Sequence, residues 1–496
     1  MTTAPRPSGG LEVRGGSGGL SVALADLWAA AGVLRTEAAE VGHVARRLAQ
    51  MAASWDAVRL VLESALPPLA LHPPVAAVAA LAEVEWRLLR AAGPSGAAGE
   101  EAHLLGLATS VAAAVRAYQS AEAVAAATVG LGQDLLMGAA GVAWPLTLVG
   151  AVGFGVVTLA GHPLGGGDPL FEHPWLVGLA SGGVEGLVAG ASASDPRVLA
   201  LVVLASLARG RPWPPQGYEA ALEAIAALAA AAGWLREPGR FRVSRVSSQG
   251  VLAPRTLGGL MSGQEALGES PPGRVRVVQV PQPDGSSAWI LQVPGTQQWR
   301  PTAGANPLDL TSDVRLMAQQ TAVLTRAAGE ALDRAMAAGG RARSRDPVML
   351  VGHSLGGIAA ASLACSPEFT AAHRVTHVVS AGSPIARFPV PPEVTVLSLE
   401  HRQDAVPHLE GSPNPDRRSW VTVKRDVASD PEVRGRLVGA HEVGEYAETA
   451  QQVDLAVRQG SSPSLVDWAA GSGAFFAGST SGPAVVREFL VERSRP

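Results

Sequence analysis

The sequence is short of several residue types, and each shortage closes off a class of chemistry. Cys365 is the sole cysteine in 496 residues, which excludes an intrachain disulfide framework and a cysteine-based zinc site. Charged residues make up only 17% of the chain and the formal net charge is -4, so the electrostatic case for nucleic-acid binding is missing. The histidines are scattered without ligand spacing, and no phosphate loop or dinucleotide fingerprint stands out; neither a metal nor an organic cofactor is expected. Lys424 is the only lysine among 39 basic residues, and Asn306 and Asn414 are the only asparagines. With Arg, Ala, Gly and Pro abundant, this reads as the codon bias of a high-GC bacterial genome rather than as a phosphate-binding surface. Met1–Gly19 is rich in Pro, Gly and Ser and has no apolar segment of the secretory kind, so it is expected to be a flexible leader. That argues against standard export and leaves open a cytoplasmic location or a non-standard route.

Apolar residues, by contrast, reach 47%, which excludes a disordered chain. The length suggests two or three domains. From Leu20 the apolar pattern is helical: Leu27, Leu34, Val41 and Leu48 repeat every seven residues, with Leu24, Ala31, Ala38 and Ala45 on a second seam. Pro67-Pro68 and Pro73-Pro74 interrupt it, and helical character returns over Val75–Arg90 and Glu100–Ala127. Residues 20–130 are therefore expected to form an antiparallel helical bundle. Residues 131–240 form an apolar, Gly/Ala-rich helical region. Within it, Leu135–Gly161 carries no charge, and two readings stay open: buried helices covering the next domain, or a segment that spans or dips into a membrane.

Residues 241–265 read as mixed and loop-like, and strands follow. Arg274–Val280 and Ala288–Val293 flank a Pro283–Ser286 turn. Thr311-Ser312-Asp313 is placed to cap a long helix running to about Ala338. Short apolar strands at Pro347–Val351, His377–Ser380 and Val394–Leu399 alternate with helical stretches, which predicts a mainly parallel sheet covered on both faces. One α/β domain is thus expected over residues 265–455, followed by a tail, 456–496, ending in a short helix over Pro483–Arg495.

The chemical signal lies in Gly352-His353-Ser354-Leu355-Gly356-Gly357, between an apolar strand and an Ala-rich helix. A sharp strand–turn–helix needs tiny residues two before and two after the serine, and it raises the hydroxyl at the carboxyl end of the sheet. His353 fills the variable position of this elbow. A serine nucleophile needs a base, and the base an orienting acid. Asp404, just past the strand Val394–Leu399, is the candidate acid, with Glu400 and Asp426 as alternatives. His441 is the candidate base, since His408 is only four residues from Asp404; His401 reads as local structure. The Leu355 amide opens the helix, and the Pro294-Gly295-Thr296 loop is placed to offer a second donor for an oxyanion.

Together, the Gly352–Gly357 run, the Asp404-Ala405-Val406-Pro407 box and the His441/Tyr446 pair resemble the class 3 lipases of the α/β-hydrolase superfamily over about residues 274–450. The resemblance implies Ser354 as nucleophile, His441 as base, Asp404 as orienting acid, and Thr296 and Leu355 as the oxyanion hole. The sequence departs from the family where Pro294 stands in place of an arginine before Gly-Thr. More distantly, Trp55 near the end of the first helix and the Tyr118/Glu122 spacing resemble the helical hairpins of WxG-type substrates of type VII secretion, which implies a secretion-system partner. Two functions are therefore weighed. One is a serine carboxylic-ester hydrolase acting on a small-molecule or lipid ester, an apolar one being expected from the Gly/Ala-rich helices beside the hydrolase, with membrane contact compatible. The other is a non-catalytic hydrolase-fold scaffold docked through its N-terminal helices.

Overall fold

Short runs of β-branched and aromatic residues, each closed by Gly, Pro or Ser, build a nine-stranded mixed sheet. The computed structural model describes residues 10–65, 73–142, 171, 173–208, 210–211, 215–433, 436–476 and 483–494. The strands are β1 (Glu12–Gly15), β2 (Phe241–Val251), β3 (Arg274–Pro281), β4 (Ser287–Val293), β5 (Pro347–His353), β6 (Arg374–Ala381), β7 (Thr395–His401), β8 (Trp420–Arg425) and β9 (Ala484–Arg493). Their order is β1-β8-β7-β6-β5-β4-β3-β9-β2. The central block β4–β8 is parallel; β1, β3, β9 and β2 pair antiparallel at the flanks.

Because successive side chains face opposite ways, β5 feeds two cores. Val348 and Leu350 join Leu324, Leu332 and Ile358 on one side, while Met349 and Val351 join Leu260, Tyr446 and Val453 on the other. The parallel sheet is buried on both faces, as its near-continuous apolar strands predict.

Several local expectations are corrected. Glu12–Gly15, placed in a flexible leader, is an edge strand on β8, and Gly18 N donates to Ser464 Oγ at 2.9 Å. Residues 241–251, read as loop, form the edge strand β2, whose mostly exposed positions hide the apolar alternation. The terminal Pro483–Arg495 helix is instead β9, paired between β3 and β2. Its charges misled the reading because their partners are remote in sequence: Glu488 meets Arg274 at 3.0 Å and Arg276 at 2.9 Å, and buried Arg493 meets Asp309 and Glu237, each at 2.6 Å. The expected long helix is two, Leu310–Met317 and Val323–Ala338. Its cap is Asp309, whose Oδ1 accepts from Ser312 N at 3.1 Å, not the Thr311-Ser312-Asp313 run.

The chain divides into two compact units, residues 22–126 and the remainder. The first is helical, built on Leu20–Ala65, Pro73–Ala92 and Ala97–Val142. Pro73-Pro74 opens the second helix instead of breaking one, since proline lacks only an amide that the first turn leaves unpaired. The first and third helices run antiparallel: Arg116 lies over the Trp28 ring at 5.5 Å, and Glu101 sits against Gly42. The seam is narrower than expected. Ala31, Ala38, Ala45 and Ala52 are buried with Ala108 and Ala112, whereas Leu27, on the larger-residue repeat, is 46% exposed. Trp55 and Tyr118 are also exposed, and Tyr118 Oη donates to Glu122 Oε1 at 3.0 Å.

Most of the charge-free segment 135–161 lies outside the described residues. The helices Trp175–Gly182, Val184–Ser194, Pro196–Ala208 and Tyr218–Ala231 follow, with a core of Val184, Val188, Val198, Val202 and Tyr218. Among the described residues no single helix is long and apolar enough to cross a membrane; by length and composition alone the bent pair Leu176–Gly182 and Val184–Ser194 passes, with a 54° break. This layer packs on the turn after β7: Tyr218 Oη donates to Leu409 O at 2.7 Å, and a Cβ on Gly411 would lie 2.4 Å from Gly182 N.

Candidate active site

The elbow at the end of β5 is built by sterics. Ser354 takes φ 55°, a left-handed conformation that costs a non-glycine residue about 1–3 kcal/mol and persists only where neighbours enforce it. Those neighbours leave no room for side chains. A Cβ on Gly352 would lie 2.0 Å from the Gly356 carbonyl carbon, one on Gly356 1.9 Å from Val293 O, and one on Gly357 2.1 Å from Ser383 Oγ. The helix Leu355–Cys365 then runs back beneath the sheet.

Asp404, in the loop after β7, is fully buried. Its Oδ2 accepts from His441 Nδ1–H at 2.7 Å and from Tyr446 Oη–H at 2.7 Å, and its Oδ1 accepts from Val406 N at 2.9 Å. Burial alone would raise this carboxyl; the adjacent His441 ring, the tyrosine hydroxyl and the amide outweigh it and hold it below the ordinary Asp range. The bond to Asp404 assigns the proton to Nδ1 of His441 and leaves Nε2 as the acceptor nitrogen. His441 and Ser354 line one cavity of about 540 Å³. No hydrogen bond joins Ser354 Oγ to His441 Nε2 among the described residues, a link that is often long until substrate is bound.

Two other imidazoles tether the short helix Leu437–His441, which ends on the candidate base. His353 Nε2–H donates to the His441 carbonyl at 2.8 Å, and His401 Nδ1–H donates to the adjacent Ala440 carbonyl at 2.7 Å. Burial, with a smaller contribution from His441, pushes His353 down to about 3; burial likewise brings His401 to about 4. Both rings are therefore neutral near pH 7 and act as fixed donors. His401 also stacks on Tyr446, with centroids 3.9 Å apart.

The Pro294–Thr296 loop lies against the elbow, since a Cβ on Gly295 would lie 3.2 Å from Ser354 Cβ. Neither the Thr296 amide nor the Leu355 amide has an acceptor among the described residues. The Thr296 hydroxyl is committed elsewhere: it donates to Asp313 Oδ2 at 2.9 Å. Burial pushes the Asp313 carboxyl up to about 7, with Asp309 adding to the rise and the Thr296 bond opposing it.

The other candidates fall away from this constellation. Glu400 pairs with Lys424 at 3.0 Å, Asp426 accepts from Gln403 at 2.8 Å, and His408 packs against Gly178. Asp313 and the tethering roles of His353 and His401 were missed. Asp313 reads in sequence as a helix-capping acid, and the two tethers depend on a short helix arriving from far along the chain. Among the described residues, the carboxylates of Asp430, Glu445 and Glu448 are close enough to hold a metal ion. Arg425 already occupies the group, 2.7 Å from Asp430, so its charge is met by a guanidinium.

A family model described as PGAP1-like alpha/beta domain matches residues 309–429, a span that carries the Ser354 elbow and Asp404 and stops short of His441. No curated protein and no solved structure shows significant similarity to the chain. The match and the parallel block of the sheet define an α/β-hydrolase-like domain preceded by a helical region.

Proposed function

We propose that the chain is a serine carboxylic-ester hydrolase working through an acyl-enzyme on Ser354. The observation that carries this reading is the buried Asp404–His441 hydrogen bond of 2.7 Å, which opens on the same cavity as a serine held at positive φ. Ser354 Oγ attacks the acyl carbon as its proton passes to His441 Nε2, and Asp404 stabilises the imidazolium. The carbonyl π electrons move to oxygen, where the Thr296 and Leu355 amides receive the charge; each such donor is worth roughly 3 kcal/mol in the transition state. Collapse expels the alcohol with the proton from His441. Water then attacks the acyl-enzyme by the same route and frees the acid.

An apolar or lipidic substrate was expected from the Gly/Ala-rich helices. None of the described residues between 135 and 208 lines the cavity at Ser354, so the class of ester has to be read from the cavity wall. The missing Ser354–His441 bond favours a second reading, a hydrolase-fold scaffold whose N-terminal helices dock a secretion-system component. A fluorophosphonate probe with peptide mapping separates the two. Labelling of Ser354 that disappears in Ser354→Ala is the expected result. A folded protein that is not labelled, or labelling that survives the substitution, would overturn the hydrolase reading.

A further inference from the structure

The loop that offers the second oxyanion donor is held at its two ends and by little between them. β4 ends at Val293, which is in register with Gly352 of β5. Pro294 brings no amide, and no group of Pro294 or Gly295 makes a hydrogen bond among the described residues. Past this stretch, the Thr296 hydroxyl is bonded to Asp313 at 2.9 Å, and Gln297 N donates to Leu308 O at 2.8 Å. Before it stands Gln264, in the helix Leu257–Gly268, whose Nε2–H donates to Val293 O at 2.6 Å.

The choice of a carboxamide at position 264 does not serve the fold. Gln264 is 1% exposed, and its Oε1 accepts no hydrogen bond among the described residues. A buried acceptor left unmet lowers stability, so an apolar side chain of the same volume would suit the interior better. What the carboxamide alone supplies is a donor. A carbonyl oxygen has two lone pairs and can accept this donor as well as a ladder amide. The Val293 carbonyl also touches both parts of the site. A Cβ on Gly356 would lie 1.9 Å from Val293 O, so this oxygen packs on the turn after Ser354. Its peptide plane, in turn, sets the direction in which Pro294–Thr296 leaves the strand.

We propose that Gln264 is a positioning residue for the oxyanion hole: by fixing the Val293 carbonyl it aims the Thr296 amide at the oxygen that becomes negative. The inference rests on the hydrolase reading above. Gln264 does not line the cavity at Ser354, so it acts through the loop and not on the substrate. An oxyanion donor works only within hydrogen-bond distance of the developing charge. A shifted loop therefore costs rate although the donor is still present.

The test follows phosphonylation of Ser354 by a fluorophosphonate in the full chain between about pH 5 and 9, where an imidazole base titrates. Oγ bonds to phosphorus as the P–F bond breaks, fluoride leaves, and the serine proton passes to His441 Nε2. The phosphoryl oxygen takes the place of the acyl oxygen in the hole. Gln264→Met keeps the volume and removes both the donor and the unmet acceptor. Its labelling rate is expected to fall by about ten- to a hundred-fold at every pH. The apparent pKa of the base is expected to stay unchanged, and the thermal midpoint to stay within about 3 °C. The control is Gln292→Met, which removes another buried amide between the same helix and strand, one that donates to Leu260 O at 3.2 Å; it is expected to label at close to the wild-type rate. Gln264→Leu repeats the test with a different shape. Labelling of the Gln264 variants no slower than that of Gln292→Met overturns the positioning role and leaves the hydrolase reading standing. A shifted apparent pKa does the same, since the base would then have moved with the loop. Failure of both Gln264 variants to fold overturns it too, because the amide would be holding the fold rather than the loop. A folded wild-type chain not labelled at Ser354 overturns the hydrolase reading, and the positioning role with it.

Discussion

The α/β unit and the helical unit of residues 22–126 meet the same need, a buried apolar interior, with opposite materials. In the first, Trp289, Trp420, Phe489 and Leu350 are essentially inaccessible. In the second, the inaccessible positions are alanines together with Val115, and Leu27, Val33, Val44 and Met51 stay at least 46% exposed. A fully buried Leu or Phe side chain contributes about 1.5–3 kcal/mol, an alanine methyl a fraction of that. The α/β unit can therefore hold a serine in a strained backbone and a carboxylate without water. The helical unit gains close backbone approach along its seam and little surplus stability. Chemistry that needs positions fixed to a fraction of an ångström belongs with the first kind of interior.

The comparison breaks most visibly at the glycines. Gly356→Ala places a methyl 1.9 Å from Val293 O, backbone against backbone. It is expected to cost about 3 kcal/mol or more in urea unfolding and to abolish Ser354 labelling. Wild-type stability in this variant would mean that the elbow is not packed as tightly as the distances say. At the carboxylate, Asp404→Asn keeps the volume and loses the acceptor that fixes the His441 tautomer; ester turnover is expected to fall by about 10²–10⁴-fold, with a lower melting temperature near pH 7 because the His441 and Tyr446 donors lose their shared carboxylate oxygen.

Asp313 sharpens the same contrast through pH. Burial raises its folded-state value to about 7, well above the unfolded range near 3.9. The folded protein therefore binds this proton more tightly than the unfolded chain does. Stability from this source is complete below about pH 4, declines as pH rises toward 7, and stays at its lower level above that. Asp313→Asn removes the titration, so its melting temperature relative to wild type is expected to climb between pH 4 and 7 and then level off. A difference that is flat with pH would show that Asp313 titrates normally.

The helical unit gives smaller effects. Ala38→Leu forces a large side chain into a seam position with no exposure, an overpacking worth about 1–3 kcal/mol, while Leu27→Ala at a half-exposed site is expected within about 0.5 kcal/mol. Hydrogen-exchange protection over residues 97–126 reads both. A larger loss at Leu27 than at Ala38 would mean that the leucine repeat, not the alanine repeat, is the true seam.

What could be read from the amino-acid order follows how local the physics is. The Ser354 elbow was legible because its steric demands fall within a few residues, and Asp404 because a carboxylate just past a central strand has few places to go. His441 was identified by chain order and by the room needed for a crossover. The edge strands were not legible. In β9, the charges of Arg487, Glu488 and Arg493 mask a strand until Gln279, Asp309, Glu237, Arg274 and Arg276 arrive from other elements. The seam of the helical unit was legible only as a pair of candidates for a related reason: two seven-residue repeats run in parallel, and only the partner helix decides which is buried. Hydrophobicity favoured the leucines, whereas close approach favoured the alanines.

The smallest effect tests that last point at a glycine with no steric role. Gly32 lies in the helix Leu20–Ala65, and a Cβ built on it meets nothing within 4 Å; the same holds for Gly106 in the third helix. Alanine is the better helix former by about 0.8–1 kcal/mol, so Gly32→Ala and Gly106→Ala are each expected to stabilise the helical unit by roughly 0.5–1 kcal/mol. That is the reverse of the sign at Gly356 for the same chemical change. The difference in sign comes entirely from what surrounds the added methyl: a carbonyl oxygen inside van der Waals contact in one unit, open space in the other. If either helical substitution destabilises instead, its face is not free in solution, and something beyond this chain's own described residues packs against it.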